Sequence, residues 1–149
     1  MKNTMTSKIE LPVQAEEGFE TKAWVVFTGQ TDRPWLRFLR PGFRHCFVLL
    51  NDGRQWMSFD PMLNHIEVKI QHSVNADFDL PNWLAGRGYT VVNAPIDHSN
   101  KIPAPWRFFT CVEAIKRVLG LHARTIFTPW QLYKHLTNFE TQGELSWEV

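Results

Sequence analysis

Two side chains in this sequence have the chemistry of a nucleophile and its base. Cys111 sits in Thr110-Cys111-Val112-Glu113, which fits the capping box, a Thr closing the first helical turn with a Glu three residues on. If Thr110 is the cap, Cys111 takes the first helical position. Free backbone N–H groups and the helix dipole favour an anion there. A thiolate forms more easily at such a place, and the same N–H groups suit an oxyanion developing on an attacked carbonyl. The alternative is a cysteine that simply packs, since free Cys is among the most buried residue types. A nucleophilic cysteine needs a base, normally His, and a third group that orients the imidazole. The turn Asn51-Asp52-Gly53 points to His45 for that base. If Asp52 and Gly53 are the two turn residues of a hairpin, Asn51 pairs with Arg54 and His45 faces Asp60. Directly opposed residues share a face, with Cβ atoms about 4.5–5.5 Å apart. A three-residue turn would set His45 against Phe59 instead. His65 is a substitute for Asp60, because it starts the next strand. Cys46 points to the other face of its strand and reads as core.

Behind these residues the pattern predicts a sheet first and helices after it. Strands are expected at residues 20–28, 43–50, 54–60, 65–71 and 89–94. The segment 65–71 alternates apolar and polar residues, as a half-buried strand does. Residues 102–105, Ile-Pro-Ala-Pro, form an extended lead-in. A helix of about ten residues then starts at Thr110, with Val112, Ile115, Val118 and Leu119 as its apolar stripe. Glu113, Lys116 and Arg117 face the other way, Glu113 pairing with Arg117, and Gly120 stops the helix. A second helix has Thr128 as cap, Pro129 in the first position, Gln131 closing the box, and Leu132, Tyr133 and Leu136 as its apolar side. The fold class is therefore α+β, with an antiparallel sheet followed by helices. Residues 1–18 read as a polar arm, 19–137 as the domain, and 138–149 as a polar tail apart from Trp147.

Composition closes off several function classes. The chain has 149 residues, room for one domain. Hydrophobic residues are 44% and charged residues 21%, enough for a core and too little charge for a disordered chain. A net charge of +1 gives no drive toward nucleic acid or membrane. No apolar run approaches the roughly 18 residues that span a bilayer, and the first residues lack a signal-peptide core, so a cytoplasmic start is expected. Two cysteines make no disulfide framework, and neither they nor the six histidines have metal-ligand spacing. No metal and no cofactor are expected.

A helix-initial cysteine, a strand histidine and a polar residue on the adjacent strand form the layout of papain-like thiol enzymes. Here the order is His, polar residue, Cys. That order resembles the circularly permuted branch of the NlpC-type peptidases and amidases, which includes the lecithin–retinol acyltransferase-like enzymes and bacterial and phage proteins. Phe43-Arg44-His45-Cys46-Phe47-Val48-Leu49 and Phe109-Thr110-Cys111-Val112-Glu113-Ala114-Ile115-Lys116 carry the resemblance, which covers roughly residues 20–136. It lacks the Asn-Cys-Glu-His signature of the acyltransferase branch.

The resemblance implies a permuted papain-like fold with Cys111 as nucleophile, His45 as general base and acid, and Asp60 as orienter. Cys111 would attack an amide, isopeptide or ester carbonyl, for example in a cell-wall peptide. One oxyanion donor would be its own N–H, and a candidate for the second is the indole N–H of Trp24. Arg33, Arg37, Arg40 and Arg44 lie close together with Trp35, Phe38 and Phe43 between them. Arg40 and Arg44 are candidates for gripping an acidic substrate beside His45, the alternative being a solvated loop over an aromatic core. A rival reading is a non-enzymatic phage or virion part that keeps a hydrolase fold and docks a protein through segment 33–44 or Trp147.

Overall fold

The computed structural model describes residues 20–144 apart from 32, 63, 98 and 100–109. The expected arm at 1–18, the lead-in at 102–105 and Trp147 lie outside the described residues.

Five strands form one antiparallel sheet: β1 (Lys22–Thr28), β2 (His45–Asn51), β3 (Trp56–Pro61), β4 (Ile66–Ile70) and β5 (Thr90–Ala94). Their spatial order is β4-β3-β2-β1-β5, so β2 lies in the middle. Among the described residues three helices accompany them: α1 (Leu80–Ala85), α2 (Cys111–Leu119) and α3 (Pro129–Glu144). A 3-10 turn, Pro34–Phe38, interrupts the connection from β1 to β2. Among the described residues no helix is long and apolar enough to cross a membrane.

Alternation along the strands divides the core into two layers. Val25 and Phe27 of β1, Cys46 and Val48 of β2 and Val92 of β5 pack with Val112, Ile115 and Leu119 of α2 and with Leu132 and Leu136 of α3. Val26, Leu49 and Trp56 face the other way and pack with Leu80 of α1. Each fully buried aliphatic side chain contributes about 1.5–3 kcal/mol, so the helical layer fixes α2 firmly against the sheet. No element had been expected between β4 and β5, yet α1 is there. Its signal is Asp79, whose carboxylate accepts the Asn82 N–H at 3.1 Å, with Pro81 in the first turn.

The hairpin register differs from the expected one. The ladder pairs Asn51 with Trp56 and Val48 with Phe59, so residues 52–55 form a four-residue connection. The cause is side-chain competition for the backbone. Asn51 Oδ1 accepts the Gly53 N–H at 2.7 Å, and Asp52 Oδ1 accepts from Arg54 and Gln55, both at 2.9 Å. Asp52 and Gly53 are thus the start of a longer turn rather than the whole of a tight one.

Both major helices start where the sequence says. Thr110 is extended at φ −110°, and its Oγ1 accepts the Glu113 N–H at 3.2 Å. Gly120 ends α2 at φ 71°, a left-handed conformation that other residues adopt at a cost of about 1–2 kcal/mol. At α3, Gln131 Oε1 accepts the N–H groups of Phe127 and Thr128 at 2.9 and 3.1 Å, while Thr128 Oγ1 accepts the Gln131 N–H at 3.3 Å. This helix runs on to Glu144, past Asn138 where a tail had been expected. Once a helix is nucleated, propagation needs no apolar stripe.

Glu113 and Lys116 do not face solvent as the stripe implied. They are 6% and 4% exposed. The Lys116 ammonium donates to the Glu113 carboxylate at 2.8 Å and to the Ile126 carbonyl at 3.2 Å. The α2–α3 connection, which carries Ile126, closes over that side of the helix. Arg117 does reach Glu113, at 3.6 Å, as its spacing suggested.

Candidate functional site

The site forms where β2 begins, β3 ends and α2 starts. His45 is the first residue of β2. It keeps a ladder partner on the β1 side, Thr28, but the β2–β3 ladder stops at Val48 and Phe59. The sheet is therefore open between β2 and β3 next to His45. Asp60 lies near the end of β3, two residues short of the position that the register places opposite His45. That makes it a diagonal neighbour on the same face, still within reach of a long side chain. The imidazole Nε2 lies 2.7 Å from Asp60 Oδ1. Direct opposition had been expected to create this pair; diagonal neighbourhood creates it instead.

Cys111 opens α2 and hydrogen-bonds with His45. With Nε2 directed at Asp60, Nδ1 is the ring nitrogen left to exchange a proton with the sulfur. Electrostatics follow from this contact. The Cys46 thiol donates to the Cys111 sulfur, His45 adds a further hydrogen bond and its charge, and the Cys46 backbone N–H contributes. Together these outweigh burial and hold the Cys111 pKa at about 5. Burial works against a charge on His45, yet the bonds to Asp60 and Cys111 carry its pKa up to about 9. Burial pushes the Cys46 thiol well above its ordinary value, and the neighbouring Cys111 adds to that. At neutral pH the pair is therefore a thiolate beside an imidazolium, with a neutral Cys46 thiol behind it. Such a sulfur is a ready nucleophile.

Cys46 is the residue that sequence reasoning undervalued. It was placed in the core, and it is fully buried there. Its strand parity turns it to the sheet face that α2 covers, and this brings it against the sulfur at the start of that helix. That parity, set beside the apolar stripe of α2, was the available signal.

A cleft of about 790 Å³ opens over the sulfur. His45, Asp60, Thr110 and Cys111 line its floor together with Phe47 and Tyr89. Trp35, Leu36, Phe38 and Leu39 of the β1–β2 connection form one lip, and Met62 and Phe127 lie on other parts of the wall. Phe38 is 95% exposed and Trp35 57%, so the lip offers bare apolar surface. His65, expected as a stand-in for Asp60, also lines the cleft but bonds its neighbour Asn64 at 2.9 Å.

The arginines divide between two tasks. Arg33 and Arg44 line the cleft. Arg44 Nη1 donates to the Gly29 carbonyl at 3.4 Å, and its Nε is buried with no hydrogen-bond partner among the described residues. Arg40 does not line the cleft. Its guanidinium lies 3.6 Å above the centre of the Trp130 ring, where it ties the connection to α3. Phe43 strengthens the tie through ring contacts of 4.8 Å with Trp130 and 4.9 Å with Tyr133. Trp24 is also absent from the cleft. It alternates to the other side of β1 and packs against Trp56, ring centres 5.1 Å apart, which leaves it unplaced to serve Cys111.

Among the described residues no group of three or more His, Cys, Asp or Glu could hold a metal ion. No family model matches the chain, and no curated protein and no solved structure matches it either.

Proposed function

We propose that this protein is a thiol hydrolase of the permuted papain-like type, cleaving an amide, isopeptide or ester bond through an acyl-enzyme. One observation carries the reading: His45 meets the Asp60 carboxylate through Nε2, and both line one cleft with Cys111, whose charge reaches the imidazole. Cys111, as the thiolate, attacks the substrate carbonyl carbon. The negative charge moves to the carbonyl oxygen, where the Cys111 backbone N–H at the start of α2 is placed to receive it. As the tetrahedral species collapses, the His45 imidazolium gives its proton to the leaving amine or alcohol, and a thioester remains. Neutral His45 then takes a proton from water, which attacks the thioester carbonyl and releases the acid and Cys111. Asp60 holds the imidazole in position and stabilises its charged form.

The cleft supports a substrate that joins an apolar portion to an acidic one. The lip formed by Trp35 and Phe38 suits the former, and Arg33 and Arg44 suit the latter. Peptides and acylated amides with a carboxylate meet both conditions. The test is hydrolysis of a panel of chromogenic amides and esters by the wild type and by Cys111→Ala, with folding checked by circular dichroism. The variant is expected to fold and to lose all hydrolysis. Equal activity in both proteins would remove Cys111 from the chemistry. A non-enzymatic assembly part would instead show no turnover at all and no preferential reaction at Cys111.

A further inference from the structure

We propose that Cys46 and Cys111 form a reversible oxidation site, which hydrogen peroxide closes into an intramolecular disulfide. This goes beyond hydrolysis, because it concerns the sulfur pair whatever the substrate.

Three features of the structure lead to it. First, Cys46 belongs to the buried cluster against which Cys111 packs, and the two side chains lie close enough for each to shift the ionisation of the other. Second, they have unequal access. Cys111 lines the open cleft, where a small oxidant can reach it, whereas Cys46 is sealed in the core on the inner side of the same sulfur. Third, the backbone around them has room to adjust. Closing the pair requires the two sulfurs to approach to about 2.05 Å. Residues 45–47 have no ladder partner on the β3 side, and Cys111 is the terminal residue of its helix. Cys46 keeps its ladder partner Phe27 on β1, so the adjustment falls on the unpaired β3 side of β2 and on the first turn of α2.

The chemistry balances. The Cys111 thiolate attacks one oxygen of the peroxide, and the O–O bond breaks. The departing hydroxide takes the proton of the His45 imidazolium and leaves as water, giving a sulfenic acid on Cys111. The Cys46 sulfur then attacks the Cys111 sulfur. The S–O bond breaks, the S–S bond forms, and the hydroxyl leaves with the Cys46 proton as a second water. Peroxide accepts two electrons, one from each sulfur. An added dithiol reverses the step and is itself oxidised to a disulfide. The disulfide removes the nucleophile from the cleft while protecting it from the sulfinic and sulfonic states, which dithiols do not reduce.

The experiment treats the full chain with hydrogen peroxide and reads intact mass and peptide maps under non-reducing conditions. The wild type is expected to lose two hydrogens, its two free thiols falling to none, with the Cys46 peptide linked to the Cys111 peptide. Dithiothreitol should restore both thiols. In Cys46→Ala and Cys46→Ser, Cys111 should instead gain one oxygen, trapped by dimedone, and then two or three that dithiothreitol does not remove. Cys111→Ser should leave Cys46 unoxidised. Irreversible oxygen addition at Cys111 in the wild type, as fast as in Cys46→Ala, would overturn the proposal, as would disulfides only between chains. The wild-type measurement decides the matter even if a Cys46 variant fails to fold. Should no disulfide form while Cys111 remains selectively alkylated and hydrolytically essential, only this inference falls and the hydrolase reading stands.

Discussion

The pH dependence of alkylation at Cys111 follows most directly from the site. With a pKa of about 5 instead of the ordinary value of 9.0, Cys111 remains a thiolate well below neutrality. At pH 6 its thiolate fraction is about 900 times that of an unperturbed thiol. A stabilised thiolate is also less nucleophilic. With a Brønsted slope of about 0.4–0.5, four pKa units reduce its intrinsic reactivity by about 40- to 100-fold. The two effects together leave Cys111 about 10 to 20 times faster than a free thiol at pH 6. At pH 8 the unperturbed thiol is about 9% ionised, and the advantage reverses to a deficit of about four- to ninefold.

The order of reactivity therefore inverts between these two conditions. The assay is iodoacetamide labelling of the protein against a small thiol of ordinary pKa, with site-resolved mass spectrometry to separate Cys111 from Cys46. Cys111 is expected to label at a nearly constant rate from pH 6 to 8, while the reference thiol climbs about a hundredfold. Cys46, fully buried, should label far more slowly. A Cys111 rate that climbs in parallel with the reference thiol would refute the ion pair, and with it the polar contacts from Cys46 and His45 that sustain it.

Three further outcomes are expected. Asp60→Asn removes a bond that raises His45, so the falling alkaline limb of the hydrolysis profile, set near pH 9, should move toward acid by about one to two units; a limb that stays in place would remove Asp60 from the site. Lys116→Met leaves Glu113 buried and short of its main partner, so urea unfolding should show a loss of about 3–5 kcal/mol, largely recovered in the double variant Glu113→Leu/Lys116→Met. A loss under 1 kcal/mol in the single variant would contradict the buried pair. Arg40→Ala should cost about 0.5–2 kcal/mol of stability through its ring contact and leave the KM for an acidic substrate unchanged, whereas Arg44→Ala should raise that KM. The opposite assignment in kinetics would show that the connection over the cleft is oriented differently.

The parts of this fold that the sequence made visible are those decided by neighbours in the chain. Thr110 and Gly120 bound α2 because a hydroxyl and a left-handed glycine act within one turn. The five strands lie within about two residues of the segments expected from local composition, turn residues and, at 65–71, alternation. What stayed hidden depends on contacts between distant segments. Nothing near Lys116 announces that the Ile126 carbonyl will cap its ammonium, and nothing near Arg40 announces Trp130. The cleft was hidden too, since the connection that carries its 3-10 lip is tied to α3 farther along, where Arg40 and Phe43 meet Trp130.

The hairpin shows why the His45–Asp60 pair could be found from a register that was wrong. The side chains of Asn51 and Asp52 take up three backbone N–H groups, so the turn consumes two residues more than its Asp-Gly spelling suggests. Side chains alternate with period two along a strand, so a displacement by an even number preserves faces, while an odd one reverses them. His45 and Asp60 therefore remained on one side of the sheet and met as diagonal neighbours. The three-residue turn would have sent Asp60 to the helical layer and left His45 beside Phe59. Parity rather than exact pairing is thus what a hairpin has to specify for this site, and the four-residue connection preserves it.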